Sequence, residues 1–215
     1  MTNMPNSSIK NLVKSSFLYQ VIKFRRDRKE LRVWERQGKP SPPPHIIKER
    51  VIREYAQKFR TRTLIETGTY LGQMVHAMKN SFDRILSFEL DWALYEEANR
   101  RFAPYNHISI VHGDSGEILG DFLASINKPC LFWLDGHYSG GITAKAALET
   151  PVRRELEHIF DHPVSKHVIL IDDARCFTGE NDYPTLQELQ EFVLQKRPHW
   201  KFKVENDIIR IHDAS

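Results

Sequence analysis

Five short apolar segments, each followed by a longer segment with a helical pattern, constrain the fold of this chain more than any other feature. They contain four to six residues and are rich in β-branched, aromatic and leucine side chains, as is typical of buried strands. Strands that alternate with helices predict a parallel sheet with helices on both faces. The predicted strands are Thr63–Glu66, Arg84–Glu89, Ile108–His112, Cys130–Asp135 and His167–Ile171.

The end of the chain has a different pattern. Trp200–Val204 and Ile208–His212 flank the turn-forming residues Glu205, Asn206 and Asp207, which predicts a hairpin. Added to the five β/α units, it gives an α/β fold with a Rossmann-like, seven-stranded, mostly parallel sheet. One strand of the C-terminal hairpin is antiparallel.

A basic helical extension precedes the α/β pattern. A helix is predicted from Ile9 to about Gln37, after eight polar residues expected to be disordered, and the proline-rich segment Pro40–Pro44 follows it. We place the domain boundary there, with an extension at 1–44 and a catalytic-type domain at 45–215. Residues 1–50 carry 12 Lys and Arg against 4 acids, whereas the rest of the 215-residue chain carries 19 against 24.

These charges, with the composition, limit the classes of protein that fit. The mildly acidic main body does not favour a nucleic-acid partner. The basic helix could contact an anionic membrane surface, a partner protein or its own domain, and a homo-oligomer is compatible with the sequence. No apolar run is long enough to span a membrane, no signal peptide is evident, and the two cysteines do not suggest a disulfide framework. A cytoplasmic protein is therefore expected.

Acidic residues lie at or beside the end of every predicted parallel strand. In open α/β sheets, ligands bind beyond the carboxyl ends of the strands. Helix capping could explain Asp114 or Ser115 alone, but it explains poorly an acid at all five strand ends. The acids are Glu66, Glu89, Asp114, Asp135 and the pair Asp172–Asp173.

The first turn narrows the choice of cofactor. Gly68 and Gly72 stand four residues apart, with Tyr70 where a dinucleotide fold has its middle glycine, and no Walker loop follows. Glu66 offers an acceptor for an ammonium group, and Glu89, 21 residues after Gly68, offers one for a ribose diol. Since Asp114 is placed to accept from an exocyclic amine, the three acids together predict S-adenosylmethionine.

These motifs together resemble those of class I S-adenosylmethionine-dependent methyltransferases, over roughly residues 60–213. The closer resemblance is to the macrocin and novobiocin O-methyltransferase group. It implies transfer of a methyl group to a hydroxyl of a sugar, glycan or other small polar metabolite, with help from a metal. The cofactor-binding residues it implies are Glu66, Gly68, Tyr70, Gly72, Glu89, Asp114, Ser115 and Asp135.

A divalent cation, most simply Mg²⁺, is predicted at Asp135, Asp172 and Asp173. The fourth and fifth strands are neighbours in such a fold, so these three carboxylates are expected to converge, and a cation would relieve their repulsion. Oxygen ligands without cysteine suit Mg²⁺, Ca²⁺ or Mn²⁺. The alternative is that these acids cap helices and bind solvent.

His137 is the predicted general base, and Asp135 is counted with it as catalytic. It stands two residues after Asp135, where the resembled group has a carboxylate. A neutral imidazole can accept the proton that a hydroxyl loses during attack. Alternatively, His137 is a metal ligand or donates a hydrogen bond to the substrate.

Two other functions are compatible with the same motifs. The basic extension could recruit an RNA or protein substrate for methylation. The domain could also bind S-adenosylmethionine without catalysing a reaction, although the acids Asp135, Asp172 and Asp173 favour an enzyme.

Overall fold

The computed structural model describes residues 6–136 and 150–214. Within these ranges the strands are β1 (Thr63–Thr67), β2 (Arg84–Glu89), β3 (Ile108–His112), β4 (Leu131–Leu134), β5 (Val168–Ile171), β6 (Trp200–Glu205) and β7 (Ile208–Asp213). The helices are α1 (Asn6–Arg36), α2 (His45–Phe59), α3 (Gln73–Met78), α4 (Trp92–Phe102), α5 (Ser115–Leu123), α6 (Val152–Asp161) and α7 (Leu186–Lys196).

The seven strands form one sheet in the order β3-β2-β1-β4-β5-β7-β6. All neighbouring pairs are parallel except those made by β7, which runs antiparallel to both β5 and β6. The predicted fold class is therefore confirmed, including the single antiparallel strand in the terminal hairpin. The strand order reverses between β1 and β4, and in open α/β sheets such a reversal opens a ligand-binding crevice at the carboxyl ends of the strands.

The central strands are buried because helices cover both faces of the sheet. All four residues of β4 and of β5 are buried, which accounts for their uninterrupted apolar sequences. On one face, side chains such as Phe132 and Ile169 pack with apolar residues of α5, α6 and α7. This packing fixes the carboxyl ends of β1, β4 and β5 next to one another.

Helix α6 differs from the prediction at its start. The sequence predicted a helix from about Lys145, but the described helix begins at Val152, after Pro151. Thr150 Oγ1 accepts a hydrogen bond from Val152 N at 3.3 Å. Proline is favoured at the start of a helix because its φ is already helical and it lacks an N–H. Residues 137–149 lie outside the described ranges.

The chain divides into two compact units, one ending at Lys48 and one beginning at Glu49. In the first unit, α1 starts at Asn6, earlier than predicted, and carries an ion pair of 2.7 Å between Lys23 and Asp27. Trp34 Nε1 donates to the carbonyl oxygen of Pro40 at 2.7 Å after the end of this helix. No helix within the described ranges is both long and apolar enough to cross a bilayer.

Two buried histidines form a hydrogen-bonded chain in the main unit. The backbone N–H of Cys130 donates to His167 Nδ1 at 3.0 Å, so this nitrogen must be an acceptor. His167 Nε2 therefore carries the proton and donates to His162 Nδ1 at 3.0 Å, and His162 Nε2 donates to the carbonyl oxygen of Leu123 at 2.9 Å. Every polar atom of the two rings is used, provided that both rings are neutral.

Because these hydrogen bonds require neutral rings, protonation of His167 at acidic pH destabilises the folded chain. Burial lowers the pKa of His167 from 6.5 to about 4, so between these values the unfolded chain binds a proton that the folded chain does not. The contribution of His167 to stability is complete above pH 6.5. It falls by about 1 kcal/mol per pH unit as the pH drops toward 4.

We expect His167→Phe to be less stable than wild type at pH 7, with a stability difference that narrows by about 1 kcal/mol between pH 6 and pH 5. Urea unfolding at each pH measures it. Glu66 and Glu155 have raised pKa values and contribute the opposite slope, but they do so in both proteins and cancel in the difference. His199→Phe, at an exposed position, is the control. A constant difference between wild type and His167→Phe would contradict the account.

Candidate functional site

The turn after β1 approaches the end of β4 very closely. Gly68 has a φ of +83°, and a Cβ added there would lie 2.4 Å from the carbonyl oxygen of Asp135. Gly72, with a φ of +65°, begins α3, and a Cβ there would lie 2.6 Å from the ring of Phe102. Both glycines of the predicted motif are thus required by their backbone conformation and by their neighbours. The turn therefore packs tightly against the end of β4 and against α4, at the reversal of the strand order.

Glu89 connects the ends of the first two strands. Its Oε2 accepts a hydrogen bond from Tyr70 N at 2.6 Å, and its Oε1 accepts one from Asp91 N at 2.9 Å. Burial raises the pKa of Glu89, while these two backbone hydrogen bonds act in the opposite direction. Each carboxylate oxygen can accept a second hydrogen bond. The carboxylate therefore holds the Gly68–Gly72 turn and keeps acceptor capacity for a ligand.

Glu66 is turned into the protein rather than toward solvent. It is 2% exposed, and Ser87 Oγ donates to its Oε2. Thr69 Oγ1 lies 2.6 Å from Ser87 Oγ and extends this network. Burial raises the pKa of Glu66 to about 8, so the carboxyl is mostly protonated at neutral pH. Its predicted hydrogen bond with an ammonium group stays a prediction. The described geometry shows Glu66 supporting the turn.

Asp114 and Ser115 are connected to α6. Asp114 caps α5 by accepting from Gly116 N at 2.8 Å, and Arg154 Nη2 donates to its other oxygen at 3.0 Å. Ser115 Oγ donates to Glu155 Oε1 at 2.5 Å. Helix capping, the alternative considered from the sequence, is therefore one role of Asp114. Its predicted contact with an adenine amine would use the remaining acceptor capacity of a carboxylate that is already ion-paired.

A narrow cleft, whose enclosed space of about 10 Å³ holds about one water-sized group, lies at the carboxyl ends of β4 and β5 and opens to solvent. The cleft brings together three acids from different elements. Asp135 and Asp172 follow strands, as predicted, and Glu155 lies on α6. The polar residues along the cleft are Asp135, Thr150, Glu155, Asp172 and Tyr183. Burial raises the pKa of Glu155 to about 7, against the effect of its hydrogen bond from Ser115. The cleft therefore contains one carboxyl that is close to half protonated at neutral pH.

Asp173 is paired with the guanidinium of Arg175. Its backbone is left-handed, with a φ of +55°, and its Oδ1 accepts from Arg175 Nη1 at 2.7 Å. The guanidinium of Arg175 also bonds Asp207 Oδ2, and the backbone N–H of Arg175 donates to Asp207 Oδ1 at 2.8 Å. The turn of the β6–β7 hairpin thus clamps the segment after β5. Asp173 and Asp207 share the positive charge of Arg175.

This clamp corrects the predicted magnesium site at Asp135, Asp172 and Asp173. Among residues 6–136 and 150–214, no three potential ligand side chains lie close enough together to hold a metal ion. The physical reason is that Arg175 already supplies the charge that Asp173 would need from a cation. Asp172 uses its Oδ1 to accept from Asp173 N at 2.8 Å. The described carboxylates therefore do not fit the predicted Mg²⁺.

The predicted base lies outside the described part of the chain. His137 follows Gly136, the last residue described before position 150. Gly136 lies directly against Thr67 and Glu155, since a Cβ added to it would be 3.2 Å from Thr67 Oγ1 and 3.5 Å from Glu155 Oε1. The role of His137 stays a prediction, and the described chain leads to it along the edge of the cleft.

Sequence reasoning missed Glu155, Arg175 and Asp207. Glu155 gave a usable signal, because it lies among Val152, Leu156 and Ile159 on the buried face of α6. An acid on such a face needs a specific partner or a function. Arg175 and Asp207 gave no comparable signal, since they are 32 residues apart and meet only through the sheet order.

Known proteins resemble this chain mainly in fold. No family profile matches the sequence. The O-methyltransferase TomG of Streptomyces achromogenes, solved with S-adenosylmethionine, is 13% identical with a TM-score of 0.58, covering 87% of this chain and 89% of its own. The methyltransferase PaMTH1 of Podospora anserina, bound to S-adenosylhomocysteine, is 16% identical with a TM-score of 0.56, and all of both chains is covered. At these identities the likeness establishes the shared fold.

One curated protein matches a segment of the sequence. Ribosomal RNA small subunit methyltransferase A of Lysinibacillus sphaericus is 31% identical over 71 residues. The match covers 33% of this chain and 24% of that protein, so this chain spans about a quarter of the relative's length.

Proposed function

We propose that this chain is an S-adenosylmethionine-dependent methyltransferase that acts on a hydroxyl of a sugar or other small polar metabolite. The observation that carries the proposal is the Gly68–Gly72 turn at the reversal of the strand order, joined through Tyr70 N to the carboxylate of Glu89. Backbone that approaches a ligand closely and an acid at the end of the next strand suit a nucleoside with a ribose diol. The shared fold of solved methyltransferases supports this choice.

Different residues at the carboxyl edge of the sheet would bind the cofactor and the acceptor. S-Adenosylmethionine, when bound, supplies an electrophilic methyl group. Glu89 would accept hydrogen bonds from the ribose, and the Gly68–Gly72 turn would lie against the rest of the cofactor. The cleft beside Asp135 and Asp172 would receive the acceptor hydroxyl, where buried carboxyls stabilise its polarised O–H. Mg²⁺ is not part of the proposal, because Asp173 is paired with Arg175.

A second acceptor, RNA, is favoured by two specific observations. The matching 71-residue segment belongs to a ribosomal RNA methyltransferase, and α1 carries a cluster of basic residues from Lys23 onward. The mildly acidic main body of the chain favours the small acceptor over this alternative. Truncation before His45 separates the two, since it would abolish methylation of RNA but leave a small acceptor methylated.

We expect Glu89→Gln to weaken binding of S-adenosylhomocysteine at least about tenfold, because hydrogen bonds to a charged group are worth about 1.5–3 kcal/mol each. Isothermal titration calorimetry measures the affinity. Glu96→Gln, at an exposed position on α4, is the matched control and should bind as wild type does. Thermal denaturation of each variant checks that the Tyr70 turn is retained. Equal affinities for wild type and a folded Glu89→Gln would reject the assignment.

A further inference from the structure

Glu155 is a buried acid that the proposed function does not yet use. It lies in the first turn of α6, is 1% exposed, and forms part of the cleft wall beside Gly136. Since a Cβ added to Gly136 would be only 3.5 Å from its Oε1, the carboxyl lies directly against the turn that follows β4. A carboxyl is rarely buried to this extent without a specific partner.

The hydrogen bonds around Glu155 leave polar capacity facing the cleft. Oε1 accepts from Ser115 Oγ, and the Thr67 hydroxyl lies close enough to the carboxyl to lower the pKa of Glu155 as well. Thr67 Oγ1, on the other side of Gly136, is buried and makes no hydrogen bond of normal geometry within the residues that the structure describes. Buried polar atoms in folded proteins are nearly always satisfied. The Thr67 hydroxyl, buried beside the Glu155 carboxyl without a hydrogen bond of normal geometry, therefore indicates that the cleft accepts a polar ligand.

Charged neighbours make the ionisation of Glu155 responsive to what the cleft holds. Asp114 raises its pKa and Arg154 lowers it, both from the adjoining helix ends. Asp135, Asp172 and the phenol of Tyr183 also line the cleft, so the charged side chains that line it within residues 6–136 and 150–214 are acids. With its pKa near 7, Glu155 would change its protonation when a charged ligand arrives.

We propose, building on the methyltransferase function above, that Glu155 is the counter-charge and proton acceptor of the reaction. It is a carboxylate while the positively charged sulfonium of S-adenosylmethionine is bound, and it takes the hydroxyl proton of the acceptor as the methyl group moves. The new O–CH₃ bond forms while the S–CH₃ bond breaks, and the electron pair of that bond stays on sulfur. One positive and one negative charge become a neutral thioether and a neutral carboxylic acid.

This charge balance predicts a difference between the two forms of the cofactor that needs no acceptor to be measured. A positive charge within about 6 Å lowers the pKa of a carboxyl by about 1–3 units, whereas a neutral thioether does not. S-Adenosylmethionine should therefore release a proton from Glu155 on binding, and S-adenosylhomocysteine should leave it in place. Apart from this charge the two ligands differ only in the methyl group, which does not titrate, so the pH dependence of the ratio of their affinities isolates the charge on sulfur.

Calorimetric titration of wild type with both ligands at pH 5.5 and pH 7.5 tests the proposal. We expect the preference for S-adenosylmethionine over S-adenosylhomocysteine to rise about tenfold from the lower to the higher pH. In Glu155→Gln this rise should be lost. Glu157→Gln, on the same helix but exposed and paired with Arg153, is the matched control and should keep the rise.

Two more variants test whether another buried carboxyl causes the pH dependence and whether the hydrogen bond from Ser115 sets its position. Glu66 and Glu89 are also buried carboxyls with raised pKa values; Glu89 is assigned to the ribose, and Glu66 lies on the opposite face of β1 from Thr67. Glu66→Gln should therefore keep the pH dependence. Ser115→Ala removes the hydrogen bond that favours the Glu155 carboxylate, so it should move the transition to higher pH. This variant decides the matter if Glu155→Gln fails to fold.

The outcomes separate the inference from the function on which it rests. Binding of both ligands with a pH-independent ratio in wild type overturns the role of Glu155 and leaves the methyltransferase proposal standing. A rise that persists in folded Glu155→Gln, or disappears in Glu66→Gln, also overturns it. If neither ligand binds wild type, the proposed function itself fails, and the inference fails with it.

Discussion

Replacing Gly68 by alanine is expected to lower the free energy of unfolding by about 2–4 kcal/mol. The residue has a left-handed φ of +83°, which costs a side chain about 1 kcal/mol. The new Cβ would also lie 2.4 Å from the carbonyl oxygen of Asp135 and 2.8 Å from its carbonyl carbon. Backbone at the end of a central strand cannot move aside cheaply, so overpacking adds about 1–3 kcal/mol.

Gly179→Ala is the matched control for this effect. Gly179 has nearly the same φ, +86°, but the nearest atom to an added Cβ is the Thr185 methyl carbon at 3.1 Å. A side-chain methyl on an exposed loop can shift, so we expect a loss of only about 1 kcal/mol there. Chemical denaturation of the two variants measures both values. Equal losses would show that the close approach of β1 and β4 does not constrain the turn.

Arg175→Met is expected to destabilise the chain by about 3–5 kcal/mol. The guanidinium neutralises Asp173 and Asp207, whose side chains are 10% and 2% exposed. Methionine keeps an unbranched apolar stem but leaves two buried carboxylates without a cation, which is the costly way to break an ion pair. Urea denaturation measures the loss at neutral pH.

Arg62→Met is the corresponding change at an exposed ion pair. Arg62 donates two hydrogen bonds to Asp83, but the side chains are 69% and 63% exposed. Exposed ion pairs contribute little to stability because water solvates both charges, so this variant should be nearly as stable as wild type. A loss in Arg175→Met as small as that in Arg62→Met would contradict the clamp between β5 and the β6–β7 hairpin.

The sheet could be predicted from the sequence because its strands are short apolar runs bounded by turns. β2 and β3 have the predicted boundaries, and β4 is one residue shorter at each end than predicted. The hairpin was readable from Asn206 and Asp207, which have φ values of +53° and +61° as a tight two-residue turn requires. Each of these signals is local, since it depends on neighbours within about six residues.

The candidate site was predictable only where the strand ends themselves form it. The turn at Gly68 and the carboxylate of Glu89 meet as expected, because adjacent parallel strands end at the same edge of the sheet. The partners of Asp173 and Ser115 were not predictable. They come from Arg175, in the 3₁₀ turn that follows left-handed Asp173, and from Glu155, which is 40 residues from Ser115. The carboxylates were therefore assigned to a cation before the side chain that neutralises one of them was known.

The measurement that tests the central claim most directly is transfer of a labelled methyl group from S-adenosylmethionine by the purified chain. The substrates are separate fractions of small metabolites, glycans, RNA and protein, with Glu89→Gln as the control for cofactor binding. The account predicts label on hydroxyl-bearing small molecules or glycans with wild type, and at least about tenfold less with Glu89→Gln at limiting cofactor. Binding of S-adenosylmethionine without labelling of any fraction would contradict catalysis, and label in RNA alone would contradict the proposed acceptor.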